Sequence, residues 1–386
     1  MRILILHSTY LSGAASGENR VVQDESRLLR ESGHDVRVFA PAPEASGAFG
    51  KVRAGASAVW SVKAARAVER MVRGNGVEIV HAHNLFPTLS PAVLRASSSA
   101  GAAVVLTLHN FRLMCLPANL LRGGWVCETC VGRSPWRGVA HRCYRRSALG
   151  SAALASSLML HRRLGTFGAV SRFLAVSEFV RNKHIEAGLP PERIRVKANF
   201  TWPAEQRRGP GEHFLFLGRL APEKGVDTLL RAWEISPPEL PLVVVGDGPI
   251  AGALRRDAPR GVEFRGQVPP QDVPSILARA RALMVPSRWY EAAPRSIIEA
   301  YAAGVPVLAS DIGALPEIVA DGVSGRLAPV DDAMAWAEVA RGLDDEESER
   351  LGAGALRSWQ ERYSPEHGLE GLESAYLDAV AGRATR

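Results

Sequence analysis

The feature that most constrains this chain is a doubled series of short apolar runs, each followed by a longer stretch whose apolar residues recur at helical spacing. The first series is RILIL (2–6), DVRVFA (35–40), VEIVHA (77–82), AAVVLTL (102–108) and RFLAVS (172–177). The second is HFLFLG (213–218), PLVVVG (241–246), VEFRG (262–266), ALMVPS (282–287) and VPVLAS (305–310). Runs of this kind alternating with helical stretches predict βαβ units on parallel sheets. Taken twice, they predict an α/β chain of two doubly wound, Rossmann-like domains facing a central cleft, where the carboxyl ends of the strands bind ligands. A length of 386 residues exceeds what one core supports, which agrees with two domains. The polar, Pro- and Gly-rich PAEQRRGPGEH (203–213) is the expected linker. The expected domains are therefore 1–205 and 206–364, with 365–386 a terminal helix returning to the first.

Charge is distributed unevenly. Residues 1–205 hold 27 Lys and Arg against 13 Asp and Glu, hence +14, whereas the remainder holds 20 against 27, hence −7. No acidic residue falls between Thr129 and Ser177, a span containing Arg133, Arg137, Arg142, Arg145, Arg146, Arg162, Arg163 and Arg172. Such a block fits either an anionic partner or an Arg-rich solvated face. Nucleic acid is not expected, because interleaved aromatics and recognised binding motifs are missing from it. SALGSAALASSLML (147–160) stops at His161-Arg162-Arg163, short of the roughly 18 apolar residues that a membrane span needs. The first apolar run leads directly into His7-Ser8-Thr9 and reads as a strand rather than a signal segment, so a cytoplasmic protein is expected.

The residues that can carry chemistry follow the predicted strands. In FLGRLAPEKGVDTLLRAW (216–233) a loop after a strand presents Gly218, Arg219 and Lys224, and a guanidinium with a nearby ammonium can clamp a diphosphate. VVVGDGP (243–249) adds Gly246 and Gly248 at a neighbouring strand end, where glycine lets backbone approach a ligand. EAAPRSIIEA (291–300) sets Glu291 and Glu299 eight positions apart. Pro294 suits the first position of a helix, which would leave the amides of Arg295, Ser296 and Ile297 outward as an anion site. Each carboxylate can accept two hydrogen bonds side by side and so hold vicinal hydroxyls. The rival use of two glutamates, acid and base of a glycosidase, leaves the Arg-Lys loop without a purpose.

Together these segments resemble the retaining nucleotide-sugar glycosyltransferases of the GT-B fold. SRWYEAAPRSIIEAYAAGVPVLASDIGALPEIVADGVSGRLAP (287–329) is similar to their E-x7-E segment, GRLAPEKGVDTLL to the donor-phosphate loop, and VHAHN and TLHNFR to first-domain strand ends. The resemblance implies that Arg219 and Lys224 neutralise the donor diphosphate, Glu299 binds ribose hydroxyls and Glu291 holds donor-sugar hydroxyls. It further implies that Pro294, Arg295 and Ser296 lie near the leaving phosphates and that His109 hydrogen-bonds the donor sugar. Fixed cations and amide dipoles would stabilise charge building on the leaving group, with no cofactor required for catalysis. Ala292 stands where many members carry glycine, which leaves the donor sugar open, as UDP- or GDP-linked.

STYLSGAASGENR (8–20), with Gly13, Gly17 and Glu18, resembles the flexible loop by which such enzymes close over the donor; a plain surface turn reads equally well. His81 lies within a strand and reads as a satisfied core residue rather than half of a metal pair with His83. Cys115, Cys127, Cys130 and Cys143 form a C-x11-C-x2-C-x12-C pattern, which favours structural zinc over free thiols or disulfides. The insert holding them (111–146) and the basic block sit where acceptors bind in the family. A lipid-linked or otherwise anionic acceptor, peripheral contact with the inner membrane face, or a soluble natural product are all open. The other functional classes that stay open are a nucleotide-sugar epimerase and a non-catalytic binder of sugar nucleotides or anionic surfaces.

Overall fold

The computed structural model describes residues 1–9, 17–41 and 55–384. The chain divides into two compact units, one of Met1–Leu120, Cys127–Ala198 and Gly368–Arg386, the other of Leu121–Val126 and Asn199–His367. Among the described residues, fourteen strands run in chain order: β1 (Arg2–Leu6), β2 (Asp35–Phe39), β3 (Ile79–Ala82), β4 (Ala103–Leu108), β5 (Leu121–Arg122), β6 (Trp125–Val126), β7 (Arg172–Ala175) and β8 (Ile194–Val196) are followed by β9 (His213–Leu217), β10 (Leu242–Val245), β11 (Val262–Gly266), β12 (Ala280–Val285), β13 (Val307–Ser310) and β14 (Gly325–Ala328).

The first unit holds a six-stranded sheet in the order β2-β1-β3-β4-β7-β8, all parallel. Every residue of β3 and β4 is buried, as expected for strands covered by helices on both faces. Ile3, Ile5, Ile79, Val105 and Leu174 pack with Val22 and Leu29 of the helix Gly17–Glu31. Leu372, Ala375, Tyr376 and Ala379 of the helix Pro365–Ala384 join the same core, so the last helix completes the unit that begins with β1. Helix ends are closed by local chemistry: Ser61 and Ser177 cap the helices Val62–Asn75 and Glu178–Glu186 by accepting from Ala64 and Val180 amides.

The second unit repeats the plan with β11-β10-β9-β12-β13-β14, again all parallel. Its core joins Phe214, Phe216, Val244, Met284 and Leu308 of the sheet to Leu229, Trp233, Trp336 and Leu351 of the helices. The 203–213 stretch belongs to this unit and is not a loose tether. The Arg207 guanidinium donates to the carbonyls of Pro210 and Arg281 (3.0 and 3.1 Å) and to Ser348 Oγ (2.7 Å), while Gln206 Nε2 donates to Ala302 O (2.6 Å). Burial of that guanidinium, next to Arg281, brings its pKa down to about 10.

Three features differ from the sequence reading. β8 and β14 are edge strands whose sequences, IRV and GRLA, carry no apolar run. The antiparallel hairpin β5–β6 turns through Gly123 and Gly124, both at positive φ. Pro294 is the cap of the helix Arg295–Ala302 (φ −68°, ψ 122°), not its first residue, and the Ile297 amide donates to Pro294 O at 3.2 Å. The expected set of outward amides thus excludes Ile297.

Candidate functional site

Strand order locates the sites before any side chain is considered. In each sheet the chain first adds strands to one side and then returns to the other: β3 comes back beside β1, and β12 beside β9. At such a switch point the loops leaving the two strands diverge and open a crevice at their carboxyl ends. In the second unit the loops concerned are those after β9 and β12, which carry Arg219 with Lys224 and Glu291 with Pro294.

The structure brings Lys224 and Glu291 together. Glu291 is buried, yet three donors end on its Oε1: Lys224 Nζ at 2.6 Å, Ser287 Oγ at 2.7 Å and Trp289 Nε1 at 2.9 Å. Burial alone would raise its pKa, but the Lys224 charge and these hydrogen bonds hold it below the ordinary carboxylate value. The carboxylate is therefore charged at neutral pH, with none of the three donors on Oε2. Lys224 Nζ also lies 5.4 Å from the Trp289 ring centroid. Arg288 ties the two loops to each other, donating through Nη2 to Asp227 Oδ2 (2.7 Å), Thr228 Oγ1 (2.8 Å) and Asp331 Oδ1 (2.6 Å), and through its amide to Glu223 O (2.9 Å).

Arg219 pairs with Glu223 in the same loop and stays half-exposed. Glu299, one helical turn beyond Arg295, is 3.4 Å from Arg295 Nε and more exposed than Glu291. Arg295 also donates to Phe200 O at 3.4 Å, and Ser296 follows it in the first turn. The glycines serve the protein's own backbone more than was expected. A Cβ on Gly246 (φ +138°) would lie 1.8 Å from Gly218 O, and one on Gly248 would lie 2.2 Å from Leu220 O. Gly218 itself has ordinary room around that position.

In the first unit the switch point is lined by residues that follow β1, β3 and β4. His83 Nδ1 and His109 Nε2 are 2.8 Å apart with their rings stacked at 5.1 Å, and His7 Nε2 donates to Asn19 Oδ1 at 2.7 Å. Asn110 Nδ2 donates to Glu18 Oε1 at 2.6 Å, which holds the start of the helix Gly17–Glu31 against the loop after β4. Glu18, His83, Asn84, His109, Asn110 and Arg112 line a cavity of about 30 Å³. Loss of solvent lowers the His109 pKa in spite of Glu18 and Glu25, so its imidazole is neutral at pH 7. Gly17 opens the helix, while residues 10–16 of the expected closing loop lie outside the described residues.

His81 behaves as a core residue: wholly buried, it meets Tyr376 OH through Nδ1 (2.8 Å) and Thr107 Oγ1 through Nε2 (2.7 Å). Sequence reasoning missed Glu25 and Lys197, a buried ion pair beneath these histidines. Glu25 reads in the sequence as an ordinary helix charge, and only its place on the apolar face of that helix could have singled it out. Ser287 and Trp289 were within the quoted motif but carried no separate signal.

The four cysteines are not in disulfides. Burial pushes the Cys115 thiol up to about 11, Cys127 Sγ lies 3.3 Å from Thr129 Oγ1, and the Cys143 amide donates to Gly138 O at 2.9 Å. Among the described residues, a group of three side chains whose ligand atoms lie within 4.8 Å of one another is Glu25, His81 and His83. In that group Glu25 Oε1 is taken by Lys197, and both nitrogens of His81 by Tyr376 and Thr107.

Of the basic block, Arg133, Arg137, Arg142, Arg145, Arg146 and Arg163 are exposed. Arg162 is turned inward to Leu113 O (2.7 Å), and Arg172 pairs with Asp378 (3.7 Å). Trp125 and Leu149 are largely exposed within the same insert and the helix after it.

Comparison with known proteins gives two family matches, Glycosyltransferase Family 4 over residues 15–201 and Glycosyl transferases group 1 over residues 211–345. The phosphatidyl-myo-inositol mannosyltransferase of Mycolicibacterium smegmatis is 27% identical over 85% of this chain and 81% of its own. A D-inositol 3-phosphate glycosyltransferase of Corynebacterium aurimucosum is 34% identical over 43% of each chain, so that match spans less than half of that protein. Among solved structures, Anabaena HepE in complex with UDP superposes with a TM-score of 0.68 at 19% identity, over 97% of this chain and 99% of that one, a likeness of fold.

Proposed function

Because the chain belongs to the group 1 glycosyl transferases of the GT-B fold, we propose that it moves a hexosyl group from a nucleoside diphosphate sugar to an acceptor hydroxyl with retention of anomeric configuration. The observation that carries this reading is the buried, charged Glu291 held by Lys224, Ser287 and Trp289 at the switch point of the second sheet. A carboxylate fixed through one oxygen and charged at neutral pH is built to accept hydroxyl protons through the other. It is poorly suited to act as an acid, which separates it from a glycosidase carboxylate.

In this reading Oε2 of Glu291 receives a donor-sugar hydroxyl and Glu299 receives the ribose hydroxyls. Arg219 and Lys224 exchange their carboxylate partners for the diphosphate as negative charge grows on the leaving oxygen, helped by the backbone of Arg295 and Ser296 at the helix start. His109, neutral, contributes a hydrogen bond to the sugar rather than a charge. A uridine diphosphate donor is supported by the UDP and UDP-glucose complexes of Anabaena HepE, and mannose as the transferred sugar by the mannosyltransferase of Mycolicibacterium smegmatis. The exposed arginines with Trp125 and Leu149 support an anionic or lipid-linked acceptor reached at a membrane surface.

The test is incubation with UDP- and GDP-hexoses and candidate acceptors, with NMR of the anomeric proton in the product. Retention and release of the free nucleoside diphosphate only with acceptor present are expected. Donor conversion without acceptor would make the protein an epimerase, and no nucleotide release under any condition would make it a binding protein.

A further inference from the structure

We propose that Glu25 is a positioning residue for His109, acting through His83: its carboxylate fixes the proton of His83 on Nε2, and His83 in turn fixes the proton of His109. The inference rests on the reading of His109 as a contact of the donor sugar. Glu25 and Lys197 are both buried, and Lys197 Nζ is bound to Glu25 Oε1. The other carboxylate oxygen, Oε2, has no hydrogen-bond partner, and neither has His83 Nε2. These two buried atoms lie 3.5 Å apart. His83 then reaches His109 through its second nitrogen, Nδ1, at 2.8 Å from His109 Nε2.

The protons follow from this geometry. A neutral imidazole carries one N–H and one lone pair, and which nitrogen holds the proton is set by the neighbour of the other. Loss of solvent, followed by the neighbouring His81, His109, His7 and Lys197, keeps His83 neutral. With an anionic carboxylate beside Nε2, the single proton sits there, and Nδ1 is left as an acceptor. The 2.8 Å contact then requires His109 to donate from Nε2, so His109 turns a bare Nδ1 lone pair to a ligand. It accepts from a hydroxyl and cannot donate to one.

The titratable groups around these two histidines are Glu18 and Glu25 from the helix Gly17–Glu31, Lys197 after β8 and His7 after β1, with His81 on β3. His81 takes no part in the relay, because both its nitrogens are bound to Tyr376 and Thr107. Lys197 has its own place in the arrangement: without it, the buried carboxylate would take up a proton and lose its hold on the His83 tautomer.

The experiment is nitrogen–proton NMR on histidine-labelled protein, with His109 and His83 assigned from His109→Gln and His83→Gln. Wild type is expected to show both histidines neutral with the proton on Nε2. Glu25→Gln alone strands a buried Lys197 charge and is prone to misfolding, so the informative variant is Glu25→Gln with Lys197→Met. In that variant the tautomers are expected to mix, and kcat to fall about tenfold to a hundredfold with donor KM changed less than about threefold. Unchanged tautomers in the folded double variant overturn the proposal. Shifted tautomers with unchanged kcat overturn instead the reading of His109 as a sugar contact, which transfer by His109→Gln checks separately.

Discussion

Glu291 and Glu299 share a motif and occupy different environments. Glu291 is buried with three donors on one oxygen, whereas Glu299 is partly exposed and faces Arg295. Removing the first leaves Lys224, Ser287 and Trp289 without their common acceptor and takes away the proposed sugar contact. Glu291→Ala is expected to reduce transfer about a hundredfold or more, while weakening nucleoside diphosphate affinity by calorimetry less than Glu299→Ala does. Transfer equal to wild type in both variants would refute the assignment. His184 offers a separate test of burial against charge. Its Nδ1 donates to Val180 O at 2.8 Å, its ring lies 6.2 Å from Phe111, and burial lowers its pKa from 6.5 to about 4. Above pH 6.5 neither folded nor unfolded protein protonates it. As the pH falls through 6.5 towards 4 the unfolded chain binds the proton first, so stability is lost across that window, by about 3 kcal/mol for a fully buried ring. Urea unfolding of wild type and His184→Leu at about pH 7 and about pH 4 is expected to show a smaller pH difference in the variant; the same difference in both would place the acid sensitivity elsewhere.

At the scale of elements, the apolar runs predicted ten of the strands, eight of them inner strands of the two sheets, whose burial needs continuous apolar residues. IRV and GRLA escaped for the opposite reason: edge strands are covered on fewer sides and need no such run, so Arg195 and Arg326 sit in them without penalty. The loops after β9 and β12 were legible as charged and Gly-rich, but their internal pairing was not. That Lys224 would land on Glu291, and that Arg288 would reach Asp227 and Asp331, depends on where two loops distant in sequence come together. Likewise, Pro294 was rightly associated with a helix start, yet its extended ψ of 122° makes it the cap, a distinction that composition does not encode. Gly246 shows what these loops demand of the backbone. At φ +138°, with Gly218 O 1.8 Å from any added Cβ, alanine must both adopt a forbidden conformation and push two strand ends apart. Gly246→Ala is expected to cost about 3 kcal/mol or more in urea unfolding and to weaken nucleotide binding. A variant of wild-type stability would show that the β9 and β10 ends tolerate separation.

At the scale of the whole molecule, the chain does not finish where its second sheet does. The helix Pro365–Ala384 contributes Leu372, Ala375, Tyr376 and Ala379 to the core around Ile3, Ile79 and Val105, and its Tyr376 hydroxyl meets His81 Nδ1 at 2.8 Å. The first unit is thus assembled from sequence segments more than three hundred residues apart, and its core depends on both. The same return sets a helix against the strand that leads into His83. Leu372 is fully buried, so truncating it leaves a void that closely packed neighbours fill only in part. Leu372→Ala is expected to destabilise the protein by about 2–5 kcal/mol, while a nucleoside diphosphate, whose proposed contacts all lie in the second unit, keeps its affinity to within about threefold. Thermal unfolding with and without nucleotide measures both quantities on one sample, because binding to the folded state raises the transition in proportion to affinity. A large loss of nucleotide affinity in a variant that remains folded would mean that the terminal helix acts on the donor site and not only on the core it completes.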